Sequence, residues 1–141
     1  MVISDYRWED LLIGTSAQFD VLITAGMMAS FADLSGDVNP LHADEDFARE
    51  AGYPGRVAFG MMTASFYSRL VGVYLPGKRA LLHGIAVEFQ SPAFIGDTLS
   101  VSGAVSFLND AYHRLEVKAK IVNQRGALIS RARIQVGVHG S

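Results

Sequence analysis

Asp37 and His42 are the residues whose types and spacing bear most directly on chemistry. They stand five positions apart in FADLSGDVNPLHADEDFAREAGYPGRVAFGM, residues 31–61. Gly36-Asp37 and Asn39-Pro40 are turn formers, and Pro40 confines Asn39 to extended backbone. The pattern predicts a stiff loop presenting both side chains from non-helical backbone. A carboxylate and an imidazole held that way are able to grip one water between them, a pairing suited to general acid–base catalysis. A plainer reading fits the same residues. Asp37 closes its own turn through an Asx hydrogen bond, and His42 is a satisfied structural histidine. Spacing alone leaves both open.

The rest of the chain must position this loop. Residues 16–23, SAQFDVLI, read as a strand. Thr24 offers an N-cap for a helix through Met27, Met28, Phe31 and Leu34 that stops at Ser35-Gly36. A short helix is expected from Asp44 to Ala51, with acids at its start and Gly52 after it. From Gly60 to Leu75 apolar residues occupy most sides of a helix, the mark of a buried one, broken by Pro76-Gly77. Strands follow. Val87 and Phe89, then Leu99, Val101, Val105 and Phe107, then Leu115 to Ile121, then Ser130 to Val136 alternate with polar neighbours. Turns are expected at Asn109-Asp110 and Gln124-Arg125-Gly126. Period-two patterning with one polar side predicts an antiparallel sheet with one wet face. A helix apolar nearly all round and a sheet with one apolar face fit together if the sheet wraps the helix, an α+β arrangement.

Composition narrows the function classes. The 141 residues suit one domain, 1–141, without repeats or linkers. Charged residues make up only 18%, against a usual ~25%, which suggests surface hidden in an oligomer. The net charge is −2 and Lys or Arg form no run, so no nucleic-acid partner is expected. No cysteine is present, which excludes thiolate metal sites, disulfides and cysteine nucleophiles. MVISDYRWEDLL lacks the basic-then-apolar layout of a signal peptide. No apolar run is long enough to span a bilayer. No membrane partner and a cytoplasmic location are therefore expected. The acids in His42-Ala43-Asp44-Glu45-Asp46 are better explained by a helix dipole than by a metal. Ser65 and Tyr67 are read as helix packing, and no G-x-S-x-G elbow exists. His83, His113 and His139 are given no role, and Met27, Met28, Met61 and Met62 are read as core, with the lining of an acyl tunnel as the alternative.

SGDVNPLHADEDFA resembles the hydratase-2 motif of MaoC-like enoyl-CoA hydratases, S/T-G-D-x-N-P-L/I-H-x-D followed by Phe or Ala. The likeness runs without a gap through Ser35, Gly36, Asp37, Asn39, Pro40, Leu41 and His42. Gly60-Met61, LPGK at 75–78 and PAFIGDTL at 92–99 extend it along most of the chain. The resemblance implies a hot-dog fold, an antiparallel sheet wrapped around a long central helix. It implies an (R)-specific hydro-lyase that hydrates trans-2-enoyl thioesters on acyl-CoA, reversibly with 3-hydroxyacyl dehydration. Asp37 and His42 would bind and activate water. Asn39 would hold the loop from behind, and the Gly60 N–H would donate to the thioester carbonyl. No metal or redox cofactor is implied, since the substrate itself carries CoA or a phosphopantetheine arm. Edge-to-edge pairing of hot-dog sheets implies a homodimer. Rival readings are a 3-hydroxyacyl-carrier-protein dehydratase, a hot-dog thioesterase and a non-catalytic acyl-thioester-binding domain. One position departs from the motif. Many relatives have His before the helix-opening Gly, whereas here Phe59 stands there. It is read as a packing variant bearing on thioester or acyl-chain contacts.

Overall fold

A computed structural model describes residues Met1–Gly140. Five antiparallel strands form one sheet in the order β1-β3-β4-β5-β2. They are β1 (Ser16–Leu22), β2 (Ala80–Phe89), β3 (Thr98–Asn109), β4 (Arg114–Val122) and β5 (Leu128–Val138). Four helices stand in the first half: α1 (Ala25–Ser35), α2 (Pro40–Ala43), α3 (Glu45–Glu50) and α4 (Gly60–Arg69). A wide π-type turn, Leu70–Tyr74, prolongs α4. Among the described residues no helix is long and apolar enough to cross a membrane.

The expected wrapping of sheet around helix is present. Gly60, at the start of α4, lies against Phe89 of β2. Tyr67 shares a hydrogen bond with Ser130 of β5 at 2.8 Å. Leu70 lies over Gly103 of β3, where a Cβ would come within 2.8 Å of it. Tyr74 stacks on Phe19 of β1 with centroids 5.0 Å apart. The inward residues Leu99, Val101, Val105, Leu115, Val117, Ile121, Ile134 and Val136 complete the core. The sequence-level caps hold as well. Thr24 accepts a hydrogen bond from Met27 N–H, and Gly36 ends α1 in the left-handed region at φ 75°.

Three expectations need correction. Phe107 was expected to face inward, but it is 59% exposed. A register shift between Val105 and Phe107 inserts an extra residue into β3, which moves the following side chains to the other face; Leu108 packs on the core instead. The central helix is not apolar on all sides of a single chain, because Met61, Ser65, Ser68 and Gly72 form an exposed stripe. Met61 is therefore not core. Lastly, His42 is not on non-helical backbone. Asn39 caps, and Pro40 opens, a single helical turn that carries it. Proline at the first helical position has its φ preset and lacks only an N–H that no helical carbonyl would accept.

The buried Tyr67 hydroxyl makes a testable mark on stability. Desolvation raises its pKa to about 12, and the Ser130 hydrogen bond offsets only part of that rise. The neutral phenol is thus favoured in the folded state. Its contribution should be complete below the unfolded pKa near 10 and should be lost as pH climbs toward 12. The loss expected in urea midpoints measured over that window is on the order of 2–3 kcal/mol. Tyr67→Phe should be less stable at neutral pH and should lack this alkaline loss.

Candidate active site

Fourteen residues after His42, a second strand of backbone begins to run beside α2 and laces it in place. Val57 N–H donates to Leu41 O at 3.2 Å. Arg56 Nε–H donates to the His42 carbonyl at 2.8 Å. The imidazole Nδ1 lies 2.7 Å from Val57 O. Ala58 N–H then donates to Ala93 O at 2.8 Å, tying this segment to the stretch that follows β2. His42 is half-buried and held by backbone, so its place depends little on side-chain freedom.

The Val57 contact also fixes the tautomer. A carbonyl only accepts, so Nδ1 carries the proton and the neutral ring keeps a lone pair on Nε2. A lone pair of that kind is what a base toward water requires. The second face of the ring meets Phe59, with centroids 4.2 Å apart.

His42 and Gly60 line one pocket of about 280 Å³, together with Val57, Ala58, Thr63, Phe89 and the Gln90–Ala93 stretch. Gly60 is the first residue of α4, with Phe59 as its N-cap. Amides of a first helical turn have no partner inside the helix, and the positive end of the helix dipole stands behind them. A Cβ on Gly60 would approach the Phe89 ring to 3.2 Å, so glycine here keeps the backbone accessible. Thr63, fully buried, turns its hydroxyl back to donate to Gly60 O at 2.7 Å.

The other two expected residues lie on the loop before α2. Asn39 Oδ1 accepts from Leu41 N–H at 3.0 Å, a cap that starts the turn bearing His42. Asp37 is exposed and lies outside the pocket lining. Its Oδ1 accepts from Asn39 N–H at 3.1 Å, so the Asx turn of the plainer reading is present, and among the described residues the other carboxylate oxygen has no hydrogen bond. Ser35 Oγ supports the same loop by accepting from Asp37 N–H at 3.1 Å. Leu34 and Val38, on either side of Asp37, are 84% and 77% exposed.

Sequence reasoning missed the role of Val57, which acts through a backbone carbonyl and so leaves no trace in residue type. It also missed Thr63 and the Gln90–Ala93 wall. Phe59 did carry a signal, the departure from the motif, but its contact with His42 was not foreseen. Among the described residues no group of three or more His, Asp or Glu is placed to hold a metal.

A family model described as MaoC like domain matches residues 12–125. The (R)-specific enoyl-CoA hydratase of Aeromonas caviae is 34% identical over 120 residues, covering 85% of this chain and 90% of that relative. The protein of the same name from Rhodospirillum rubrum is 37% identical over 103 residues, covering 73% and 72%. The solved structure of the (R)-hydratase from A. caviae involved in PHA biosynthesis superposes with a TM-score of 0.89 at 32% identity, over 92% of this chain and 98% of that one.

Proposed function

This chain belongs to the MaoC-like domain family, and we propose on that footing that Asp37 and His42 hold one water for addition to an enoyl thioester. The protein is a hydro-lyase that performs (R)-specific hydration of trans-2-enoyl thioesters, reversible with 3-hydroxyacyl dehydration. Its substrate is an acyl-CoA thioester. The observation that carries the site reading is that His42, with Nδ1 engaged by Val57 O, shares one pocket with the first amide of α4.

His42 and Gly60 support this chemistry from one pocket, and Asp37, outside that lining in the single chain, is given its part by the motif it shares with the family. Water oxygen bonds to C3 of the enoyl group while one water proton passes to His42 Nε2. Asp37 Oδ2 accepts the other water hydrogen and aims the oxygen. The π electrons of the C2–C3 bond move to the thioester oxygen, giving an enolate that the Gly60 N–H stabilises. The proton then passes from His42 to C2, and the carbonyl re-forms. Oxygen and hydrogen come from one side of the substrate, so addition is syn. The chain needs no metal or redox partner for these steps.

We also place the working unit in a homodimer joined through β2. The two edge strands of the sheet differ. β1 shows solvent Ser16, Gln18 and Asp20, whereas β2 leaves Leu81, Leu82, Ile85 and Phe89 between 43% and 59% exposed. A ten-residue edge strand bearing four exposed apolar side chains is a pairing surface, and Phe89 on it also walls the pocket. Wild-type protein should sediment as a dimer at micromolar concentration, and Ile85→Lys should shift it toward monomer with loss of turnover. A wild-type monomer would contradict the pairing.

The deciding assay is hydration of a series of trans-2-enoyl-CoA thioesters of rising chain length, with chiral analysis, beside the same acyl groups on carrier protein. (R)-3-hydroxyacyl-CoA formed faster than its carrier-protein counterpart is the expected result. Faster turnover on the carrier protein would favour the assembly-line dehydratase, and release of free thiol would favour a thioesterase.

A further inference from the structure

One in-plane hydrogen bond does not fix an imidazole. The contact from Nδ1 to Val57 O at 2.7 Å still allows the ring to tilt about that axis through small changes in χ1 and χ2, which move Nε2. A flat group packed on a ring face limits that tilt. Phe59 is there, with its centroid 4.2 Å from that of His42 and the planes 32° apart. Phe59 is 4% exposed and cannot retreat, because Phe31 lies against it at 4.9 Å. Three separate elements meet in this contact. Phe31 comes from α1, His42 from α2, and Phe59 is the N-cap of α4.

We propose that Phe59, backed by Phe31, is a positioning residue that holds the His42 ring at one angle about its bond to Val57. The contact thereby keeps Nε2 aligned with the pocket that holds the Gly60 N–H. The inference rests on the reading that His42 activates water. It adds to that reading a residue that touches neither water nor thioester. Because Phe59 directly precedes Gly60, the same residue sets the start of α4 and the angle of the imidazole. The base and the amide donor are therefore placed by one buried ring. A misplacement of a catalytic group by about 1 Å can cost ~100-fold in rate, so the contact should weigh on turnover more than on binding.

The test compares Phe59→Leu, Phe59→His and Phe31→Leu. Leucine keeps apolar volume but offers no flat face. Phe59→Leu should lower kcat on the order of 10- to 100-fold, with KM for an enoyl-CoA held within about threefold. Phe59→His restores a planar ring and should recover most of that loss, and Phe31→Leu should show a smaller loss of the same kind. Nitrogen-15 relaxation of the His42 ring in the substrate-free protein supplies a readout independent of turnover. Wild type should show a rigid ring, and Phe59→Leu should show added ring motion with the Nδ1–H tautomer retained, because the bond to Val57 O persists. The proposal is overturned if Phe59→Leu keeps wild-type kcat, if the histidine variant is no better than leucine, or if the ring motion is unaltered. Should Phe59→Leu fail to fold, Phe31→Leu decides by the same two readouts. A wild type that hydrates no enoyl-CoA would sink the functional reading, while the spectra would still judge the ring contact.

Discussion

Asp37→Asn is expected to fold as wild type and to lose about 10³-fold or more in kcat, within the range for removal of a general acid–base group. The substitution separates the two readings of this residue. Asparagine keeps the oxygen that accepts from Asn39 N–H, and it forms the same turn as readily as aspartate. If turn geometry were the only role of Asp37, nothing measurable would change. What asparagine lacks is the negative charge and a second acceptor oxygen, the features needed to orient water and to balance a protonated imidazole. His42→Ala should lose a similar factor for a different reason, since it deletes the lone pair on Nε2. It also leaves Val57 O without its partner, at a cost of about 1–3 kcal/mol. A domain with the large core described above should survive that. Melting curves and circular dichroism check the fold, and initial rates on an enoyl-CoA check the chemistry. Near-normal hydration by either variant would remove Asp37 or His42 from the reaction.

The second large effect concerns the amide at Gly60. Backbone donors are hard to delete, but this one stands where proline is tolerated. Gly60 is the first residue of α4, and Phe59 before it has φ −60° and ψ 125°, the extended conformation that proline demands of its predecessor. Gly60→Pro should therefore keep the helix while removing the N–H. Loss of one donor to a developing oxyanion typically costs about 10²–10³ in kcat. Part of any loss would come from the new ring meeting Phe89, where a Cβ already reaches 3.2 Å. Gly60→Ala isolates that part, since alanine adds the Cβ and keeps the N–H. Proline should be at least about tenfold slower than alanine if the donor contributes as described. Equal rates for the two variants would show that crowding, and not the amide, is what the site feels.

Part of this is legible in the sequence. Turn formers beside a carboxylate–imidazole pair single out Asp37, Asn39 and His42, and the family resemblance adds Gly60; the structure sets His42 and Gly60 on one pocket and leaves Asp37 outside its lining. Thr24 and Gly36 marked the ends of α1 because capping is local chemistry, visible one turn at a time. The alternation in β4 and β5 predicted which side chains face inward. The misses share a physical cause, namely that they depend on contacts between distant segments or on surface a single chain does not cover. The bulge that turns Phe107 outward is a matter of pairing between β3 and β4, which periodicity within β3 does not reveal. Met61 read as core because it is apolar, but it lies on an exposed stripe with Ser65, Ser68 and Gly72 that sequence alone does not mark. Asn39-Pro40 signals a turn and a helix start with the same two letters, so α2 was read as loop. The carbonyl of Val57, which sets the tautomer of His42, belongs to a residue type with no chemistry of its own.

The arrangement of one water, one face and one amide is tested most directly by running the hydration in deuterium oxide. Trans-2-butenoyl-CoA should give a 3-hydroxy product of R configuration carrying a single deuterium at C2, placed syn to the new oxygen, as one diastereomer. Deuterium on the opposite face, or a mixture of both C2 epimers formed at the rate of hydration, would contradict delivery of oxygen and hydrogen from the same side, and a 3S product would mean that the site meets the other face of the alkene.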